Sequence, residues 1–208
     1  MSAAPPPEAG LFHTRKPLIL ASGSPRRQEM LTALGLKFEV VTTEIDEAEK
    51  PDEEAEHLVK RLATAKARAV QVTKDDGWVL AADTAVVINS TILGKPGNNE
   101  EAAVMLTRLA GHRHEVWTGF CLLSHQRNIF VCHAIRTEVR FADWPPEICR
   151  AYAATNEPLD KAGAYGIQGL GGFMIQEISG SYSNVVGLPL AEVLAEMLRL
   201  EIIEAVQA

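Results

Sequence analysis

Residues 17–27 have the sequence Pro-Leu-Ile-Leu-Ala-Ser-Gly-Ser-Pro-Arg-Arg, an apolar run that ends abruptly in small polar residues, a proline and two adjacent arginines. Residues 18–20 predict a buried strand, residues 22–24 its turn, and Pro25 the first residue of a helix that continues to about Gly35. The helix N-terminus therefore points toward the end of the strand. The sequence thus predicts a strand-turn-helix joint.

The turn has the chemistry of a phosphate site. The unpaired amides of the first helical turn, the hydroxyls of Ser22 and Ser24 and the guanidinium groups of Arg26 and Arg27 converge there, and the helix dipole favours an anion. An ordinary strand-turn-helix joint, with Ser24 as the N-cap and the arginines on the surface, fits the same pattern. Loop geometry alone leaves both interpretations open.

Helices and strands alternate along the rest of the chain. Strands are predicted at residues 38–43, 78–82, 85–88, 114–124 and 129–141, and the last two form an antiparallel hairpin. Helices are predicted around residues 58–72, at residues 100–109, from residue 145 onward and at residues 190–206. This order predicts a mixed α/β sheet with flanking helices and a ligand cleft across it. We find no internal repeat and no linker between domains.

Composition limits the classes of partner. The 208 residues carry 20 basic and 27 acidic side chains, a net charge of -7, which argues against a nucleic-acid duplex or an anionic membrane as the main partner. No run approaches the roughly 18 apolar residues of a membrane span, so we expect a soluble protein. Cys121, Cys132 and Cys149 lack metal-type spacing, which favours free thiols in the cytoplasm. Residues 1–16 contain a proline triplet and no signal-peptide core, and we expect a flexible extension.

Seven polar residues stand next to breaks in the apolar pattern. They are Arg26, Arg27, Glu47, Lys66, Asp83, Lys95 and Lys161. Cations outnumber carboxylates among them, as suits a polyphosphate whose remaining charge is carried by a divalent metal held by Glu47 and Asp83. A water activated by a carboxylate or by the metal could then attack phosphorus.

Each of these residues also has a structural interpretation. Asp83 could be a turn residue at a strand end, Glu47 part of a solvated acidic loop, and Lys66 and Lys95 surface lysines. The glycine-rich segment 162–172 could be a plain loop, although Tyr165 and Gln168 within it suggest backbone that approaches a flat ligand. His112 and His114 fit a solvated turn.

Four sequence strings resemble the Maf family of nucleoside triphosphate pyrophosphatases. They are Leu-Ala-Ser-Gly-Ser-Pro-Arg-Arg-Gln-Glu at 20–29, Ala-Asp-Thr at 82–84, Gly-Lys-Pro at 94–96 and Pro-Leu-Asp-Lys-Ala-Gly-Ala-Tyr-Gly-Ile-Gln-Gly at 158–169. Asn-Val-Val-Gly-Leu-Pro-Leu at 184–190 is similar to the family as well. The motifs follow the family's order from about Pro17 to the last helix, so residues 17–208 are expected to be a single Maf-like domain.

The resemblance implies a fold and a reaction. The fold is similar to that of inosine triphosphate pyrophosphatases, an elongated mixed sheet with two lobes around a central cleft, and a homodimer is one expectation because family members are often dimeric. The reaction converts a nucleoside triphosphate and water into the monophosphate and pyrophosphate with a divalent cation, Mg²⁺ or Mn²⁺. Clearance of non-standard nucleotides, modified pyrimidines included, and a link to cell-division arrest are further implications.

The family's motifs also imply roles for single residues. Asp83 takes the position of the proton acceptor. Ser24, Arg27, Glu47, Lys66 and Lys95 fall at phosphate- and metal-handling positions, and Arg26, Thr84 and Gln168 fall where the family sets its base preference. The subgroup that acts on 7-methyl-GTP has Trp in place of Arg26 and Glu in place of Gln168, so this chain is similar to the dTTP/UTP subgroup.

Two other function classes fit parts of the sequence. A sugar-phosphate nucleotidyltransferase also follows its first strand with small residues and a basic residue, and a sugar adduct among the products would identify it. A nucleotide-binding regulator of septation without activity is the other class, and turnover by the purified protein would exclude it.

Overall fold

The computed structural model describes residues 10–72 and 75–206, and this part of the chain forms nine strands, six α-helices and three short 3-10 helices. The strands are β1 (Phe12–Thr14), β2 (Leu18–Ala21), β3 (Glu39–Val40), β4 (Trp78–Ile88), β5 (Thr91–Leu93), β6 (Arg113–Ser124), β7 (Ile129–Phe141), β8 (Ile175–Ser179) and β9 (Ile203–Ala205). The α-helices are α1 (Pro25–Ala33), α2 (Ala55–Ala69), α3 (Asn99–Leu109), α4 (Pro146–Ala153), α5 (Tyr182–Val186) and α6 (Leu190–Arg199). The 3-10 helices are Glu157–Asp160, Ala162–Ala164 and Leu170–Met174. None of these helices is long and apolar enough to cross a membrane.

Seven strands form one mixed sheet. Its order is β3-β2-β4-β6-β7-β8, and β5 pairs with the last residues of β4. Strands β3, β2 and β4 are parallel, whereas β4, β6, β7 and β8 are successively antiparallel. The predicted mixed α/β sheet with flanking helices and the β6–β7 hairpin are confirmed.

Strand β4 is buried on both faces because its side chains alternate between two apolar clusters. Trp78 and Leu80 pack in the cluster that contains helix α6, whereas Val79 and Ala81 pack in the cluster that contains helix α2. A strand that is covered on both faces needs no polar alternation. The uninterrupted apolar run at the start of β4 follows from this double burial.

A further apolar core lies at the other end of β4. Val86 and Ile88 pack there with Leu93 of β5 and with helices α3 and α4. Asp83 and Thr84 stand between the two regions, at the middle of the strand. The apolar regions at the two ends of β4 correspond to the two lobes that the resemblance implies, and the polar pair lies at their boundary.

Helix α2 lies directly on strand β6. A Cβ atom built on Gly119 of β6 would lie 2.5 Å from the backbone carbon and oxygen of Val59, closer than real Cβ contacts come. Only glycine admits the helix backbone at this distance. Lys66, two turns along α2 from this contact, is thereby held over the sheet.

The segment expected to be a flexible extension contributes a strand. Strand β1 pairs antiparallel with β9, with Phe12 opposite Ala205. The expectation of flexibility for residues 1–16 is therefore wrong for β1, while residues 1–9 lie outside the described residues. The division of the chain at residue 17 stays a prediction.

The last helix is shorter than predicted. It ends at Arg199, because Glu201 has a left-handed φ of 53° that turns the chain. Ile202 and Ile203 are then buried at the start of β9. Both lay within the helix predicted at residues 190–206, but the partner strand β1, far away in sequence, pairs with Ile203 and makes it part of a sheet.

Smaller differences concern one strand and one histidine. The strand predicted at residues 38–43 is only two residues long, as β3. His114 is buried, not part of a solvated turn, because β6 begins at Arg113 and includes it. Its Nε2 atom lies 2.8 Å from the hydroxyl of Tyr165.

The prediction of three free thiols is wrong for two of the cysteines. Cys121 on β6 and Cys132 on β7 are direct partners in the hairpin register, with Cα atoms 4.2 Å apart, and they form a disulfide. Cys149 is free and buried. The pairing depends on the strand register, which cysteine spacing alone does not show.

Candidate active site

A cavity of about 630 Å³ opens at the middle of β4, between the apolar regions at its two ends. Its walls come from the β2–α1 turn, helix α2, the middle of β4, the end of β5, the segment after α4 and the end of α5. All ten residues proposed from the sequence line it: Ser24, Arg26, Arg27, Glu47, Lys66, Asp83, Thr84, Lys95, Lys161 and Gln168. The volume is within the range of sites for small ligands.

The lining of the cavity is cationic in a protein of negative net charge. The cationic side chains are Arg26, Arg27, Lys66, Lys95 and Lys161, and the carboxylates are Glu47, Glu49, Asp83 and Asp160. Five positive charges thus face four negative ones, although the chain as a whole carries -7. Such local concentration favours an anionic ligand.

Helix α1 adds a partial positive charge at the same place. The helix begins at Pro25 and has no acidic residue in its first turn. Ser24 occupies the N-cap position, but its side chain makes no capping hydrogen bond. The hydroxyl of Ser24 and the first amides of α1 are thus available to anionic oxygens, as the phosphate interpretation requires.

The guanidinium group of Arg27 is already hydrogen-bonded inside the protein. It donates to the carbonyl oxygens of Gly187 (2.7 Å) and Ala82 (2.9 Å), and to the hydroxyls of Ser22 (3.0 Å) and Thr84 (3.0 Å). Burial lowers the pKa of Arg27, and the charge of Asp83 opposes this shift. Arg27 therefore joins α1 to β4 and to the end of α5, and its role as a direct phosphate ligand stays a prediction.

Lys66 lies between two carboxylates. Its Nζ atom is 2.6 Å from Oδ1 of Asp83 and 2.6 Å from Oε1 of Glu47. Lys66 and Asp83 are only 13% and 14% exposed, whereas Glu47 is 48% exposed. Burial tends to raise the pKa of Glu47, but the hydrogen bond and charge of Lys66, with Lys95 and Arg27, lower it overall. The ammonium group of Lys66 offsets the repulsion between the two carboxylates, so Asp83 and Glu47 can lie close together.

The two carboxylate oxygens of Asp83 differ in their hydrogen bonding. Its Oδ1 accepts the hydrogen bond from Lys66, and its Oδ2 has no hydrogen-bond partner among residues 10–72 and 75–206. The partner lysine accounts for a carboxylate in the middle of an apolar strand, which would otherwise be costly to bury. The interpretation of Asp83 as a turn residue is wrong, because it lies within β4.

Two cations at the rim share one carboxylate. Arg26 is 3.2 Å from Oδ2 of Asp160, and Lys161 is 2.6 Å from Oδ1 of the same group. Asp160 thereby links α1 on one wall with the 3-10 helices on the other. We did not propose Asp160 from the sequence, and its only signal was its place beside Lys161 in the 158–169 motif.

Thr84 and Gln168 differ in how many hydrogen bonds their side chains make within the described chain. The hydroxyl of Thr84 accepts from Arg27 and lies 2.9 Å from the hydroxyl of Thr118. The side chain of Gln168 makes no hydrogen bond to any part of the chain that the structure describes. Its amide can therefore pair with a ligand in the cavity.

The donor set fits a divalent cation that also binds its substrate. No group of three or more His, Cys, Asp or Glu side chains that could hold a metal occurs among the described residues. Glu47 and Asp83 together offer hard carboxylate oxygens, and Mg²⁺ in phosphate-handling sites is commonly bound by one or two carboxylates plus substrate oxygens. Both carboxylates hold Lys66 in this structure, so the two cations would share them.

Comparisons with known proteins agree with the geometry. A family model described as Maf-like protein matches residues 17–200. A dTTP/UTP pyrophosphatase of Desulfotalea psychrophila is 47% identical over 193 residues, which cover 93% of this chain and 99% of the relative. A dTTP/UTP pyrophosphatase of Escherichia coli K12 is 51% identical over 176 residues, 84% of this chain and 88% of the relative.

Proposed function

The chain belongs to the Maf-like protein family, and from this membership we infer that it is a nucleoside triphosphate pyrophosphatase that acts on dTTP and UTP. Relatives about half identical over most of the chain carry that name. The observation that supports this most directly is the Asp83–Lys66–Glu47 group in a cationic cavity. It combines a carboxylate base with charges that suit a polyphosphate.

The triphosphate binds toward the β2–α1 turn. The amides of the first turn of α1 and the hydroxyl of Ser24 donate to its oxygens, and Lys95 and Lys161 neutralise further charge. Arg27 supports this turn from beneath through its four internal hydrogen bonds.

Asp83 is the base in the chemical step. A water molecule attacks the α-phosphorus while the Oδ2 oxygen of Asp83, which no described residue binds, takes one of its protons. The bond from the α-phosphorus to its bridging oxygen breaks, so the monophosphate and pyrophosphate leave. Lys66 orients the carboxylate of Asp83 before the proton is transferred, through its contact of 2.6 Å.

Pyrophosphatases of this family generally depend on a metal cation. We propose Mg²⁺ or Mn²⁺, held by Glu47 and Asp83. When bound, the cation would neutralise charge on the phosphate oxygens. Because Glu47 stays ionised through its contact with Lys66, it can serve as a ligand near neutral pH.

Gln168 selects the base. Its amide offers one donor and one acceptor, which match the O4 and N3–H groups of uracil and thymine, whereas glutamate would offer acceptors only. Arg26 and Thr84 line the same cavity. Uracil and thymine differ by one 5-methyl group, and the two nucleotides also differ by one 2′-hydroxyl. These are small differences unless the pocket contacts those groups, so both UTP and dTTP are substrates.

A substrate panel in ¹⁸O-labelled water tests the reaction. We expect monophosphate and pyrophosphate from UTP and dTTP, with the label in the monophosphate, and loss of turnover with excess chelator. Label in pyrophosphate would contradict attack at the α-phosphorus. A sugar adduct would indicate a nucleotidyltransferase, and absence of turnover would indicate a binding protein.

The variant Gln168→Glu tests the base assignment. Placing an acceptor opposite O4 should lower kcat/KM for UTP and dTTP by about a hundredfold. Gln176→Glu, an exposed change on β8, is the matched control and should have no effect. An unchanged preference for pyrimidines in Gln168→Glu would remove Gln168 from base recognition.

The homodimer, the cytoplasmic location, and the clearance of non-standard nucleotides with a link to cell-division arrest stay predictions from the sequence. Sedimentation of the purified protein would test the first of them.

A further inference from the structure

The segment that carries Gln168 is held at both ends by side chains outside it. The carboxylate of Glu157 accepts hydrogen bonds from the backbone amides of Leu170 and Gly171, both at 3.0 Å. The hydroxyl of Tyr152 accepts from the amide of Gly166 at 3.3 Å. These contacts lie on either side of Gln168.

Glu157 and Tyr152 are themselves joined. The Tyr152 hydroxyl donates to Oε1 of Glu157 at 2.9 Å, and Tyr152 is only 3% exposed. The two oxygens of Glu157 thus accept three hydrogen bonds in total, from the Tyr152 hydroxyl and the two backbone amides. A carboxylate is required for this, because an amide has one acceptor oxygen and would turn its NH₂ group toward an N–H.

The segment approaches these side chains as closely as glycine allows. A Cβ atom on Gly171 would lie 2.3 Å from the Tyr152 hydroxyl, and one on Gly169 would lie 3.0 Å from Oε2 of Glu157. Gly169 also has a left-handed φ of 87°. The glycines around Gln168 therefore serve the contact with this pair, in addition to any approach to the ligand.

The charge of Glu157 is stable at neutral pH. Burial tends to raise its pKa, but the hydrogen bonds from Gly171, Leu170 and Tyr152 lower it overall. The anion that accepts the backbone amides is thus the normal state of the group.

We propose that Glu157 and Tyr152 are positioning residues for base selectivity, which fix the backbone on both sides of Gln168 and so aim its amide at the pyrimidine. This inference rests on the proposed function, because it assumes that Gln168 recognises the base. Neither residue is assigned a contact with the reacting phosphorus, so their removal should affect recognition more than the chemical step.

Two variants test the proposal, with kcat and KM measured for UTP and GTP. Glu157→Gln leaves one acceptor where three donors converge, and we expect the KM for UTP to rise about tenfold. We expect kcat for UTP and kcat/KM for GTP to change by less than about threefold, so that selectivity falls. Tyr152→Phe should act in the same direction and keeps the test available if Glu157→Gln does not fold. Glu147→Gln, an exposed change on α4, is the matched control.

Backbone hydrogen exchange gives a second measurement. The amides of Leu170 and Gly171 should exchange faster in Glu157→Gln than in the wild type, while amides of β6 keep their protection. Equal losses of kcat/KM for UTP and GTP in Glu157→Gln leave the selectivity unchanged. That result would overturn this inference but not the proposed function. A wild-type protein that does not prefer UTP to GTP would overturn the base assignment, and the inference with it.

Discussion

At the scale of single residues, Asp83 is partly buried, with one carboxylate oxygen bound by Lys66 and the other without a partner in the part of the chain that the structure describes. Asp83→Asn keeps the volume of the side chain but removes the base, so the variant should fold, bind nucleotide and lose turnover by about a hundredfold or more. Steady-state pyrophosphate release measures the loss. Asp52→Asn, an exposed turn change, is the control, and near-normal turnover in Asp83→Asn would remove Asp83 from the mechanism.

Arg27 contributes to stability as well as to the charge of the site. Arg27→Ala leaves the carbonyls of Gly187 and Ala82 and the two hydroxyls without their buried donor. We expect the free energy of unfolding to fall by about 3 kcal/mol, measured by urea denaturation. Arg199→Ala, at an exposed residue of α6, should cost much less. Equal stability of the two variants would show that the Arg27 network carries little energy.

His114 makes stability depend on pH. Burial lowers its pKa to about 4 from 6.5, so between these values the unfolded chain binds a proton that the folded protein does not. Stability is therefore complete above pH 6.5 and decreases toward pH 4, by about 3 kcal/mol for this residue. Urea denaturation from pH 4 to 7 should show a shallower decrease for His114→Gln. The same change at exposed His125 should leave the slope unaltered, and equal slopes in wild type and His114→Gln would contradict the assignment.

At the scale of elements, the contact between α2 and β6 controls the position of Lys66. Gly119→Ala places a methyl group 2.5 Å from the Val59 backbone, so the helix must move. We expect a loss of about 1–3 kcal/mol in unfolding free energy together with reduced activity, because Lys66 moves with the helix. Gly94→Ala, which meets nothing within 4 Å, is the stability control. If Gly119→Ala has the unfolding free energy of the wild type, α2 can move away from β6 without loss of stability, contrary to this prediction.

Local pattern was enough to predict most helices and long strands. The stripe of α2 and the β6–β7 hairpin depend on neighbours in sequence, and each was predicted close to its true position. The apolar run of β4 was predicted as two strands, at residues 78–82 and 85–88, which the structure joins through Asp83 and Thr84. Strands β1 and β9 were missed because each is stabilised by the other from the opposite end of the chain. The Cys121–Cys132 pair was missed for a similar reason, since the register of two strands decides it.

At the scale of the whole molecule, the candidate site is assembled from segments that are far apart in sequence. Its residues could be proposed because each breaks an apolar pattern or matches a family motif. Their partners could not: that Lys66 bridges Asp83 and Glu47, and that Asp160 joins Arg26 to Lys161, follows only from the folded chain. The hydrogen bonds of Arg27 inside the protein could not be predicted either, because the sequence does not distinguish a buried arginine from an exposed one.

Strand β1 should matter for the stability of the whole molecule. A chain that begins at Arg15 lacks the β1–β9 pairs and the partly buried Phe12. Compared with a chain that begins at Gly10, it should lose about 2 kcal/mol of unfolding free energy, measured by urea denaturation. Equal stability would show that the small sheet contributes nothing.

The β1–β9 pairing has a topological consequence. It makes the backbone nearly circular, because residues from the two ends of the described chain are hydrogen-bonded neighbours. Closing so long a loop costs chain entropy, so this pairing should form late in folding. A circular permutant that joins these ends by a short linker, with new termini in the exposed turn at residues 125–128, would make the pairing local, and so faster to form, while leaving the cavity intact.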